Sequence, residues 1–246
     1  MYKILLLLFL FFLSSAHAMY NGNPSSPLMP EQGIFFKNAL LSFEVGYQYD
    51  ATFARAWKTE NAGEGHVKKF TASDHLGVLT LNIADRVEAY SGLGTMQLHL
   101  KQKVHGETVN MPSHTAFAWT LGGRVFLAYW GDLNLSVAAS YLHFSPSLEH
   151  HRGKAHYTEW QVGAGLSYQF RYFYPYFGLK FANARAKFYA LSTPLFLPKE
   201  SFIIKTKSIP GLFLGCGFAP ERGFSIDVEA RFIDETSLTA AANLRF

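Results

Sequence analysis

The residues that could carry chemistry are few and scattered. Ten histidines raise the question of a metal site, and His150, His151 and His156 form the densest group. A zinc site needs three or four His, Cys or carboxylate ligands at patterned spacing. This group has no supporting cysteine, aspartate or second patterned pair. It falls in a polar stretch and reads as solvated loop histidines, so no metal ligand is expected. Ester hydrolysis at a lipid surface would need a serine, a histidine and an orienting polar group. Ser140 and His143 are three residues apart, which puts them on opposite faces of a strand. No catalytic residue is expected, and the chain reads as a non-enzyme. Gly92-Leu93-Gly94 and Gly163-Ala164-Gly165 lack the following helix that a nucleotide cradle requires, so no cofactor is expected. Cys216 is the single cysteine, unable to close an intramolecular disulfide, and lies between Leu214 and Phe218 as a small hydrophobe.

The remaining candidates are charges, and the elements that must position them are strands. In the last stretch Phe224, Ile226, Val228, Ala230 and Phe232 alternate with Ser225, Asp227, Glu229 and Arg231. Leu238 to Phe246 repeats the pattern and ends on an aromatic residue. Period-two alternation marks a half-buried strand. A terminal Phe in a lipid-facing row is expected to serve as the signal read by the outer-membrane assembly machinery, which assigns that role to Phe246.

The first residues give an address. Lys3, the apolar run Ile4 to Leu13 and Ala16-His17-Ala18 make a signal peptide, expected to be cleaved after Ala18. Ten apolar residues are well short of the roughly 20 that span a bilayer as a helix, and no later run reaches that length. A membrane protein without such helices is left with the closed barrel. The formal charge of +4 says little, and no basic patch interleaved with aromatics points to nucleic acid.

Residues 19–32 read as a turn-rich periplasmic or lumenal segment and 33–246 as an outer-membrane barrel. Expected strands are a weak 33–37, then 41–49, 52–58, 76–84, 87–103, 117–129, 133–144, 160–170, 175–188, 203–218, 224–232 and 238–246. A turn is expected near Asp50, a bulge near Arg55, a change of face near Gly92 and Gly94, and an aromatic girdle at Phe170, Tyr172, Phe173, Tyr174 and Tyr176. Short turns near 50, 85, 131, 172 and 221 alternate with long loops near 66, 108, 150 and 195, the asymmetry of outer-membrane barrels. The fold class is therefore all-β, a transmembrane antiparallel up-and-down barrel of twelve strands, with ten as the alternative.

Short motifs then resemble one family. Asn21-Gly22-Asn23-Pro24, Val45-Gly46-Tyr47, Leu81-Asn82-Ile83 with Asp85-Arg86, Glu159-Trp160-Gln161, Pro175-Tyr176, Ile233-Asp234-Glu235 and the closing Arg245-Phe246 recur in order in the chlamydial major outer membrane protein family. The resemblance implies a porin in the cell outer membrane, passing small hydrophilic solutes and ions, with surface loops and a possible homotrimer. Family members are longer and cysteine-rich, so the envelope-crosslinking role does not carry over. The alternative is a closed structural or adhesive barrel.

The two readings differ in the inner row. Gly46, Ser136, Gly163, Gly165, Ser167 and Thr239 are small and leave space, favouring a pore. Strand parity makes Glu44, Glu88, Arg124, Lys180, Arg185, Lys187, Asp227, Glu229, Arg231 and Arg245 the expected pore-lining charges. Their slight positive excess predicts a weak anion preference, with Arg185 and Lys187 carrying most of it. Expected partners are outer-membrane lipid, the assembly machinery and small solutes, with no nucleic acid.

Overall fold

The computed structural model describes residues 20–24, 40–60, 66–104, 107–149, 153–189, 201–207, 209–221 and 223–246. The expected signal peptide and the weak strand 33–37 lie outside these. Thirteen strands form one antiparallel sheet: β1 Leu41–Arg55, β2 Trp57–Thr59, β3 His66–Ile83, β4 Val87–Val104, β5 Glu107–Pro112, β6 Ala116–Trp130, β7 Leu133–Phe144, β8 Lys154–Tyr168, β9 Phe173–Tyr189, β10 Phe202–Thr206, β11 Gly211–Glu221, β12 Phe224–Phe232 and β13 Glu235–Arg245. Ten of them close a ring in the order β1, β3, β4, β6, β7, β8, β9, β11, β12, β13, and β13 returns to β1. At the seam the Phe246 N–H donates to the Phe43 carbonyl at 2.7 Å. Closure gives each of these ten strands a hydrogen-bonded neighbour on both sides, which is what lets β-structure stand in hydrocarbon.

The barrel has ten strands rather than twelve, and the reason is local. No turn forms at Asp50; β1 runs through it to Arg55, so the expected strands 41–49 and 52–58 are one. The bulge expected nearby is present, as a register shift between Thr52 and Ala54 against β13. It moves the inward face from Asp50 and Thr52 to Arg55 and Trp57. The expected single strand 203–218 is two, β10 and β11, separated at 207–210. Strands β11 to β13 are short, and β10 and β2 pair with each other to complete the wall between β9 and β1 above them. Part of the expected loop 104–113 is β5, which folds back along β4.

Two ends can be told apart. One carries tight turns, at Ala84 and Asp85, both with positive φ, and at Gly131 with φ 60°; it also holds the chain terminus. The other carries the longer connections, together with the two-residue β12–β13 turn at Ile233 and Asp234, where Ile233 has φ 81°. We refer to them as the turn end and the loop end; in outer-membrane barrels the turns face the periplasm.

The outward face is an apolar belt. Phe43, Val45, Leu79, Leu93, Phe117, Leu121, Leu127, Trp160, Val162, Phe177, Leu179, Leu214, Val228 and Leu244 are all exposed. In the expected girdle Phe170, Tyr172 and Phe173 are outward, whereas Tyr174 and Tyr176 are buried on the inner face because they occupy the alternate parity of β9. The expected change of face at Gly92 and Gly94 does not occur. Val87, Ala89, Leu93 and Thr95 all point outward and Glu88, Gly92, Met96, Leu98 and Leu100 all point inward. What changes is the chemistry of the interior, which turns from polar to apolar part-way along β4.

Candidate functional site

The lumen is the place where polar chemistry concentrates, and alternation is what sends it there. Among the described residues five buried bases, Arg55, Arg124, Lys180, Arg231 and Arg245, face nine buried acids, Glu44, Asp50, Asp74, Glu88, Glu159, Asp227, Glu229, Asp234 and Glu235. Eight of the ten expected pore-lining residues are in this set. Arg185 and Lys187 are not. Lys180, Ala182, Ala184 and Ala186 hold the inner row of β9 without interruption, so the odd positions point outward. Removing these two and adding Arg55, Asp50, Asp74, Glu159, Asp234 and Glu235 leaves five bases against nine acids, which reverses the expected positive excess.

These charges are paired rather than arrayed around a channel. Arg231 is fully buried and bonds Asp50, Ser237 Oγ at 2.7 Å and Thr239 Oγ1 at 2.6 Å, with Glu229 at 3.7 Å and Glu235 at 3.6 Å. Thr239 in turn donates to Asp50 at 2.6 Å. Arg55 makes a two-pronged pair with Glu159, at 2.6 and 2.5 Å, and donates to Tyr157 at 3.0 Å. Lys180 reaches Glu235 and, at 3.0 Å, Asp234. Arg124 meets Glu88 at 2.5 Å, and Arg245 lies 3.5 Å from Glu44. Forked guanidinium–carboxylate pairs are the strong, geometrically specific kind.

The expected space is occupied. Residues 20–24 lie inside the barrel, held by the Asn21 and Gly22 N–H groups, which donate to Glu229 at 3.1 Å each. Arg124 donates to the Asn21 carbonyl at 2.9 Å, and the Asn23 amide donates to Asp227 at 3.3 Å. The small inner row gives this segment its seat. A Cβ on Gly163 would stand 2.6 Å from Asn21 Oδ1, and one on Gly165 2.8 Å from Pro24. Gly22 itself has φ 80°, where a side chain is strained. From the sequence these glycines read as close packing or pore clearance and the Asn-Gly-Asn-Pro stretch as part of a turn-rich periplasmic or lumenal segment; residues 20–24 take the lumenal place. A remaining cavity of about 50 Å³, lined by Tyr20, Glu44, Glu88, Arg124 and Asp227 among others, has room for little more than water.

Towards the loop end the filling changes to hydrocarbon. Phe70, Leu98, Leu100, Met111, Leu142, Phe144, Tyr157, Phe188, Phe202 and Ile204 pack as one buried cluster across the lumen. Phe188 and Phe202 stack at 4.6 Å, and Trp57 and Phe70 lie 4.7 Å apart. Strands β2, β5 and β10 supply part of this core, which explains why they sit off the main ring.

Outside, above the belt, the wall is basic and histidine-rich. Ser140 faces the lumen while His143 faces out, as their spacing required. The serine that His143 does approach is Ser145, at 3.4 Å, which also lies 3.0 Å from His156. Glu60 sits by Lys205 at 2.5 Å and Arg185 at 3.6 Å, and these bonds, Lys205 first, hold its carboxyl below the ordinary glutamate value. His150 and His151 lie outside the described residues.

Comparison with known proteins agrees with the family read from the sequence. A family profile described as Chlamydia major outer membrane protein matches residues 149–220. The major outer membrane porin of Chlamydia trachomatis serovar B is 22% identical over 89% of this chain and 72% of its own length. The serovar D porin is 21% identical over 95% and 96%. Among solved structures, the translocator domain of the autotransporter NalP from Neisseria meningitidis covers 87% of this chain and 90% of its own, with TM-score 0.48 and 14% identity. Ail, the attachment invasion locus protein of Yersinia pestis, covers 84% and 97%, with TM-score 0.39 and 16% identity. The resemblance to the chlamydial family is borne out, and with its exposed apolar belt the chain is an integral β-barrel of the outer membrane.

Proposed function

For a short relative of the chlamydial porins with so full a lumen, we propose a closed outer-membrane barrel whose role is structural, a membrane-anchored frame that presents its loop end. The observation that carries this is the seat of residues 20–24 on Glu229, Arg124 and Asp227, set below an apolar core that spans the barrel. Ten strands enclose little more than the width that side chains alone can fill, and here side chains and a peptide share it. Ion permeation needs a continuous hydrated path, and a stretch of packed Phe, Leu and Met is a barrier to ions. The reading assigns no catalysis.

The relatives' name supplies a second reading, a porin whose plug moves. What favours it is that the plug sits in the polar part of the lumen on hydrogen bonds that water could replace. Planar-bilayer recording of the purified mature protein separates the two. A closed barrel gives no steady conductance, and a variant lacking residues 20–24 stays closed because the apolar core remains. Steady, stepwise conductance of the wild type would overturn the closed reading. Conductance that appears only in the deletion would establish the plugged porin, and its ions should be cations, given the acidic inner row.

A further inference from the structure

We propose that the outer wall of β7, β8 and β9, just above the apolar belt on the loop side, is a binding surface for the phosphorylated headgroup of an outer-leaflet glycolipid. The register lays the surface out in rungs. Val162 pairs with Phe181 and Trp160 with Asn183, and the Trp160 and Phe181 rings, 5.7 Å apart, cap the apolar part of this wall. One rung higher Thr158 pairs with Arg185, then His156 with Lys187, then Lys154 with Tyr189. All of these side chains are on the outward face. From Phe181 to Arg185 the strand advances about 14 Å, which at the usual tilt is about 10 Å along the membrane normal. That is the step from acyl chains to headgroup phosphate.

The donors are gathered there. His143 and His156 meet edge to face at 4.6 Å, with the Ser145 hydroxyl within 3.4 Å of one ring and 3.0 Å of the other. Lys187 Nζ lies 4.8 Å from the centre of the Tyr189 ring, which holds the ammonium against the wall. An acid also approaches this surface: Glu60 lies 3.6 Å from Arg185. Lys154 and Lys187 thus bring positive charge, and the two imidazoles and the serine hydroxyl hydrogen-bonding groups, to a face turned to the side, where lipid stands. A soluble polyanion would approach the loop tips from above. The lateral direction and the height directly over Trp160 and Phe181 are what select a lipid. Phosphate recognition suits this group, because ammonium and hydroxyl donors are its ordinary partners, and each basic residue at an anionic membrane surface contributes measurably to binding.

The test uses the full mature protein, purified in detergent and exchanged into fresh detergent with added bisphosphorylated lipid A. Retained lipid is read by native mass spectrometry, beside a dephosphorylated lipid A control. Wild type should retain the phosphorylated form, and retention should fall as salt rises. The variant Lys154→Gln/His156→Gln/Lys187→Gln should retain roughly tenfold less. Its heat-modifiable gel shift should match wild type, showing that the barrel is intact. Lys101→Gln/Lys103→Gln, outward on β4 and outside the β7–β9 face, should leave this retention within about twofold. Equal retention by wild type and the triple variant, or equal retention of the dephosphorylated lipid, would overturn the proposal. So would binding of a soluble sulfated glycan that depends on these residues while lipid retention does not.

Discussion

The two parts of the lumen are built from opposite materials by the same strands. Towards the turn end β1, β4 and β12 send in Glu44, Asp50, Glu88, Asp227, Glu229 and Arg231; towards the loop end β3, β4 and β7 send in Phe70, Leu98, Leu100 and Phe144. Both parts are packed, so the difference is how each withstands loss. An apolar core loses roughly what is removed and then relaxes. A buried ion network loses far more when one partner goes, because the remaining charge is stranded in a low dielectric.

The largest effect is therefore expected at Arg231. Arg231→Met strands Asp50 and Glu229 and should cost about 3–5 kcal/mol, read as a lower temperature for the heat-induced gel shift. A cost below about 1 kcal/mol would mean that water enters the turn-end lumen, and the contrast between the two parts would disappear. Leu100→Ala, in the other part, should cost about 3 kcal/mol through its cavity. Its effect should not depend on pH. If it does, the loop-end core is wetter than its packing implies.

The segment at 20–24 is expected to yield more easily than either wall. Gly22→Val puts a side chain at φ 80°, with its Cβ 1.7 Å from the Arg124 guanidinium, and should expel the segment while the barrel stays folded. Asn23→Ala, which removes one bond to Asp227, should cost about 1 kcal/mol. Both are read by hydrogen exchange or protease access at residues 20–24. Unchanged protection in Gly22→Val would show that Glu229 alone secures the seat.

The same contrast explains what was legible in the sequence. Alternation placed the belt, the terminal hairpin and eight of the inward charges, because a strand's faces follow from parity alone. It misled wherever polarity and face came apart. Met96, Leu98 and Leu100 look like a lipid row that has changed sides, yet they are a lumen that has become apolar. Arg185 and Lys187 look like pore charges, yet they stand outside, beyond the apolar belt, where hydrophilic side chains again face out. Asp50 looks like a turn, yet it is an inward ligand of Arg231. In each case the missing information was height along the barrel axis, which a residue's parity does not encode and only the paired register supplies.

The smallest prediction tests an ion pair of the same chemistry outside the lumen. Glu60 is exposed at the rim, bonded to Lys205 at 2.5 Å with Arg185 3.6 Å away, and its carboxyl is held below the ordinary 4.5 chiefly by the Lys205 bond. A carboxyl whose folded pKa is depressed adds stability above its unfolded pKa. That stability is lost as pH falls through the folded value. The window therefore opens near 4.5 and extends downward, and at neutral pH the whole contribution is present. Because water screens the pair, the contribution is small, in contrast to Arg231 with Asp50. Glu60→Gln should lower the unfolding temperature slightly at pH 7, and its difference from wild type should shrink as pH falls below about 4.5. Salt should shrink the pH 7 difference as well, since screening acts on exposed charges. A Glu60→Gln effect as large as that of Arg231→Met, or one that persists at low pH, would mean that the rim is as dry as the lumen and that burial does not separate the two.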